Sequence, residues 1–172
     1  MTPLPFELHP EIPKEGRPAN PSRYGRFVEL SAEAGLPFTA PERVANTRRA
    51  LASAELVRQQ WPDAFVALDQ SLFRAYWAEG IDIGDPDEVD ALVGAAGADA
   101  AAVRQAVEGG LADEALDASR TRAIEIGVTG TPAWLIDGRF LVPGYQAPDL
   151  FERVVERLRS DGPRPDDAAS GR

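Results

Sequence analysis

Apolar residues fall along this chain in two rhythms, and each rhythm predicts an element. In "LPFEL", Leu4, Phe6 and Leu8 alternate with Pro5 and Glu7, the pattern of a half-buried strand. Pro3 and Pro5 share one parity, so their missing donors lie on a single side, which must be a sheet edge or solvent. The amides of Leu4, Phe6 and Leu8 point the other way and call for a neighbouring strand. The spacing then changes to three and four. After the irregular, proline-rich "HPEIPKEGRPANP", Asn20 caps a helix with Pro21 first, striped by Tyr24, Phe27 and Leu30 and ending near Gly35. "LPFTAPER" reads as a linker. Helices follow over Asn46–Gln60, with Leu51, Ala54 and Val57 on one face, and over Asp63–Glu79, with Phe65, Leu68, Leu72 and Tyr76.

Further on, "GDPDEV" places Asp85 as cap, Pro86 first and Glu88 three residues after the cap, a capping box. A short helix to about Gly94 is expected there, then others over Asp99–Glu108 and about Leu111–Ile126. The period next drops back to two. "AWLI" and "RFLV" flank Asp137-Gly138, a two-residue hairpin signal. A last helix over Asp149–Arg159 turns Leu150, Val154, Val155 and Leu158 inward, and the tail "SDGPRPDDAASGR" has no apolar face and is expected to be disordered. The order is strand, a long helical stretch, hairpin, helix, with no internal repeat.

Composition narrows the chemistry. The chain has 172 residues, enough for one domain or a small domain carrying an insertion. With 28 acidic and 18 basic residues its net charge is −10, which repels phosphate backbones and anionic lipid; neither nucleic acid nor membrane is an expected partner. No apolar run approaches the roughly 18–20 residues of a membrane span, and the start lacks the features of an export signal, so a cytoplasmic location is expected. Cysteine is absent, which excludes disulfides, thiolate metal sites and thiol catalysis. The single histidine, His9, argues against histidine-rich metal sites and a serine triad.

Several strings together resemble the DsbA family, a thioredoxin fold with a helical domain inserted in its middle. The likeness is greatest to the branch holding 2-hydroxychromene-2-carboxylate isomerases and antibiotic-pathway DsbA-like proteins. "PFELHPEIPKEG" resembles the segment after that family's first helix; "NTRRALASAEL" and "LFRAYWAEGIDIGDPDEVDALV" resemble its helical insertion; "GVTGTPAWLIDGRFLVPGYQAPDLFERVV" resembles its cis-proline loop, terminal hairpin and last helix. The resemblance covers roughly Leu4 to Leu158. It implies an α/β, thioredoxin-like fold of DsbA type with a helical insertion. Residues 1–19 and 120–160 would form a partial thioredoxin-like subdomain, 20–119 the inserted helical subdomain and 161–172 a disordered tail. Family members carry a strand, a Cys-x-x-Cys (a serine in the isomerases) and a helix ahead of the "PFEL" strand. That segment is expected either to have been lost or to lie upstream of Met1, leaving an incomplete sheet. The gap would be filled by another chain or by "PFEL" pairing directly with "AWLI", or else the fold would be marginal.

The resemblance makes Gly130, Thr131 and Pro132 the substrate-binding candidates, as a cis-proline loop whose backbone can bond an extended peptide or small thiol. No catalytic residue, metal or cofactor is assigned. His9 could act as a general base, but its place at a strand end before Pro10 favours a structural or solvated role. Glu7, Glu11 and Glu15 lack a second ligand set for a metal. Phe73, Tyr76, Trp77, Trp61 and Trp134 could line a cleft for an aromatic ligand, although helical spacing favours core packing. Expected partners are a second copy or a partner strand beside Leu4–Leu8, and a small aromatic or peptide ligand. The function expected is that of a DsbA-family oxidoreductase-like protein incapable of thiol–disulfide exchange as the chain stands. The alternatives are a non-redox isomerase acting on an aromatic or polyketide-like substrate, and a binding module that completes its sheet with a partner.

Overall fold

The computed structural model describes residues 3–161; the tail expected to be disordered lies, from residue 162, outside the described residues. In chain order the elements are β1 (Arg17–Pro18), a 3-10 turn (Pro21–Tyr24), α1 (Gly25–Glu33), β2 (Arg43–Val44), α2 (Arg48–Gln60), α3 (Pro62–Arg74), a π-helical turn (Ala75–Glu79), α4 (Pro86–Ala95), α5 (Ala100–Glu108), α6 (Asp113–Glu125), β3 (Ala133–Ile136), β4 (Phe140–Pro143) and α7 (Pro148–Asp161). The chain divides into two compact units, Met1–Arg122 and Ala123–Arg172.

Short polar side chains start the helices where the sequence places them. The Asp85 carboxylate accepts from the amides of Asp87 and Glu88, and Asp99 accepts from Ala102. At the other end of α1, Leu36 donates to the Ser31 carbonyl and Gly35 to that of Ala32, a Schellman closure with Gly35 at φ 65°.

The first unit is built around α2. One side of it, through Ala50 and Val57, joins Leu68 and Leu72 of α3, Val89 and Val93 of α4 and Val103 of α5 in a single core. The other side, Ala52 and Leu56, packs with Ala112 and with Leu116 of α6. The expected stripe of Leu51, Ala54 and Val57 is therefore only part of what α2 buries. Small alanines and Ser53 let a helix be covered on both sides, and a one-face reading does not detect that.

The segment Leu4–Leu8 departs from expectation. It forms no strand, and its alternation runs the wrong way round: Glu7 is 4% exposed while Leu4 is 62% exposed. Among the described residues its carbonyls, not its amides, are engaged. Ser119 Oγ donates to the Pro5 carbonyl at 2.6 Å and Arg120 Nε to the Glu7 carbonyl at 3.1 Å. The carboxylate of Glu7 turns inward because Arg48 Nη1 meets it at 2.9 Å. An ion pair and side-chain donors from α6 thus hold the segment where a sheet ladder was expected. Among the described residues the sheet holding β3 is two-stranded, β3 with β4, and "AWLI" has no third strand beside it.

No pattern in the chain foretells the small clip between β1 and β2, in which Arg17 stands opposite Val44 and Pro18 opposite Arg43. It depends on Gly16, which has φ 69° and where an added Cβ would lie 2.8 Å from the Val44 carbonyl oxygen. In the second unit, β3 and β4 form an antiparallel hairpin with Ile136 opposite Phe140. Asp137 and Gly138 both take positive φ, as a two-residue turn requires, but Arg139 is an extra residue, which moves the second strand to Phe140–Pro143.

Candidate functional site

The expected site residues lie between α6 and β3. The helix closes at Gly127, φ 89°, with its amide bonded to the Ile124 carbonyl and that of Val128 to Ala123. The loop that follows exposes Thr131 and Pro132, leaves Gly130 half-buried, and contains a cis Thr131–Pro132 peptide. The Pro132 carbonyl accepts from Gly144 at 2.7 Å, which fixes the loop to the far strand of the hairpin. At Gly130 an added Cβ would meet nothing within 4 Å, so packing does not require glycine there.

That bond also sets which way every β3 group points. In an antiparallel ladder, alternate residues exchange hydrogen bonds across the pair. With Pro132 facing Gly144, Trp134 and Ile136 turn their amides and carbonyls toward β4, and Ala133 and Leu135 turn theirs away from it. Beyond that edge no described residue continues the sheet. On β4 the outward residues are Leu141 and Pro143, and proline has no donor to offer. One edge of the hairpin is therefore open next to the loop, and the other is partly blocked. Leu135 is 40% exposed, while Trp134 on the opposite face meets Phe151 of α7 edge-on at 5.5 Å.

Chemically the site offers hydrogen bonds and little else. From Gly127 to Ile136 there is no ionisable side chain. The two threonine hydroxyls and the backbone can bind, but they supply no general acid or base near neutrality. The remaining sequence candidates fall elsewhere. His9 is exposed and bonded through Nδ1 to Glu11 at 2.9 Å; the carboxyl of Glu11 is held below its usual range, chiefly by a backbone hydrogen bond and also by His9. Glu7 faces Arg48, whose guanidinium also reaches Asp113 at 2.8 Å and Asp117 at 3.2 Å. Of the aromatics, Trp61 and Tyr76 pack against the helical core, Phe73 is 62% exposed, and Trp77 stacks on Phe27 and Phe38. The sequence reading missed the outward edge at Ala133 and Leu135. The clue was Pro143, which marks the parity of β4's outer side.

A family model for the DSBA-like thioredoxin domain matches residues 4–156. The chain belongs to that family. Its fold is accordingly thioredoxin-like of DsbA type, here with short two-stranded sheets. Solved structures agree. The chain is similar to a probable DsbA oxidoreductase from Streptomyces coelicolor (TM-score 0.79, 20% identity, 92% of this chain and 75% of the other). It is also similar to a 2-hydroxychromene-2-carboxylate isomerase (TM-score 0.65, 24% identity, 81% of this chain and 67% of the other). A protein described as a disulfide isomerase of Nitrosomonas europaea matches with TM-score 0.68 and 18% identity over 85% of this chain and 78% of its own. No curated protein sequence matches. Thiol–disulfide exchange proceeds by thiolate attack, and these 172 residues include no cysteine; as it stands the chain does not perform it.

Proposed function

We propose that this DsbA-family chain is a non-redox binding module that receives an extended segment along the open edge of β3, beside the Gly130–Thr131–Pro132 loop. The observation that carries the reading is the outward turn of the Ala133 and Leu135 backbone groups, set by the Gly144-to-Pro132 bond and left without a ladder partner among the described residues. An added strand would gain main-chain hydrogen bonds from these residues and apolar contact from Leu135, the usual mode of β-augmentation. A second copy of the chain and an extended peptide are both occupants of the right kind, and a cytoplasmic location goes with this reading. Leu135→Pro removes an outward donor at an edge position where proline is tolerated. Isothermal titration against a panel of extended peptides, with light scattering for self-association, is expected to show binding by the wild type and its loss in Leu135→Pro at unchanged far-UV circular dichroism. Equal binding by both proteins would dismiss the edge.

A second reading, isomerase chemistry on an aromatic substrate, is favoured by the solved neighbour described as an isomerase and by the exposed aromatic side chains of the helical unit. A thermal shift with aromatic carboxylates that survives Leu135→Pro would support it over the binding module.

A further inference from the structure

The segment Asn20–Leu36 is fastened to the first unit differently from everything around it. No residue of the 3-10 turn or of α1 is buried; Phe27 is 49% and Leu36 64% exposed. The closely packed helix pairs of this unit are made among α2, α3, α4 and α5, and α1 takes part in none of them. Its hydrogen bonds are internal: Arg23 to Asn20, Ala34 to Leu30, Gly35 to Ala32, Leu36 to Ser31, and the Arg26–Glu29 ion pair. Among the described residues none crosses from Asn20–Leu36 to the rest of the chain.

Its two ends are tied down firmly. Ala19 donates to the Glu42 carbonyl at 2.9 Å, next to the β1–β2 clip, and Arg43 Nη2 donates to Glu15 at 2.5 Å. Thr39 bonds the π-helical turn twice, by its amide to the Trp77 carbonyl at 2.7 Å and by its hydroxyl to that of Ala78 at 2.8 Å. Between these anchors, ring contacts with Trp77 and Phe38 are the attachment, Tyr24 lying 6.4 Å from the Phe38 ring. Phe27 lies 5.7 Å from the indole and within 16° of parallel, and Tyr24 meets it edge-on at 6.1 Å. The opposite contact, Phe38 at 5.9 Å and 19°, adjoins Thr39 and so belongs with the fixed end. The π-helical turn that carries Trp77 is itself an irregularity of the kind proteins place at working positions.

We infer that Asn20–Leu36 is a lid over Trp77. The 3-10 turn and α1 swing out together on hinges at Ala19–Asn20 and at Gly35–Pro37, and the latch is the stacking of Phe27 on the indole together with the edge contacts of Tyr24 with Trp77 and Phe38. The clip and the Thr39 bonds stay closed, so Phe38 remains on Trp77 while the surface under Phe27 is uncovered. Stacked rings are suited to such a latch: they are worth little enough to open thermally, yet their geometry brings the lid back to one position. The inference is independent of the β3 edge, which plays no part in it.

Hydrogen–deuterium exchange on the full chain tests it. The amides of Ser22–Leu36 are expected to exchange as one group, at least 100-fold faster than the interior amides of α2, α3 and α4. Phe27→Ala should speed that group a further tenfold or so without changing α2–α4. In a Trp61→Phe/Trp134→Phe background, Phe27→Ala should also shift Trp77 emission to the red. Protection of Ser22–Leu36 equal to that of α2–α4 would overturn the lid, as would exchange proceeding residue by residue from one end. Unchanged exchange rates in Phe27→Ala would overturn the latch.

Discussion

Arg48 shows how one side chain can redirect a segment. It holds the buried carboxylate of Glu7 and, on its outer side, Asp113 and Asp117. Arg48→Met would leave Glu7 buried without its partner. A loss of about 3 kcal/mol is expected in urea unfolding, most of it recovered when Glu7→Leu is added, because removing both charges leaves nothing unpaired. Two other carboxylates give opposite pH signatures. Hydrogen bonding by Arg58 holds Glu55 below its ordinary range despite burial, so its contribution is present above the unfolded pKa and lost as pH falls through the folded one. Asp69 is pushed up by burial, so its folded form favours the proton and stability falls as pH rises through the folded pKa. Asp69→Asn should therefore raise Tm at pH 7, with the gap closing toward pH 3. Glu55→Gln should lower Tm at pH 7, with its gap closing over the same range. Thermal melts at several pH values measure both.

At the scale of elements, what could be read from sequence was what is decided locally. Asp85 and Asp99 start their helices with their own side chains, and Gly35 and Gly127 stop theirs. The apolar spacing of α3 points Leu68 and Leu72 into the core; Leu68 is fully buried, and Leu68→Ala should cost about 2–5 kcal/mol in chemical denaturation. What could not be read depends on partners distant in sequence. Nothing in "LPFEL" says that Arg48 will claim Glu7 or that Ser119 will take the Pro5 carbonyl. The second buried side of α2 is set by Leu116, and the β1–β2 clip joins two-residue strands across an intervening helix. Gly16 is the local mark that such a clip leaves. Gly16→Ala should destabilise by roughly 1–2 kcal/mol through the left-handed backbone alone, more if Val44 cannot yield, and speed exchange at Ala19.

For the whole molecule, the family and its helical insertion were legible because many weak strings fell in the right order, and the loop at Gly130–Pro132 because Thr-Pro stands before a short apolar strand. The outward edge beside that loop was not legible. Ala133 and Leu135 look like any alternating pair until the bond from Gly144 shows which of them face outward.

Pro143 limits how far an assembly built on this hairpin could grow. A strand added to β3 would be met on the far side by β4, whose outward positions include a residue with no donor. Two copies joined edge to edge through β3 would use their open edges on each other and present only the partly blocked ones; the contact is isologous and closes at a pair. Pro143→Thr would restore the missing donor and give the hairpin two usable edges. Static light scattering should then show mass rising without a plateau as concentration increases, where the wild type levels off at one or two chains. Along this edge, the difference between a closed pair and an open-ended fibre would come down to one amide proton.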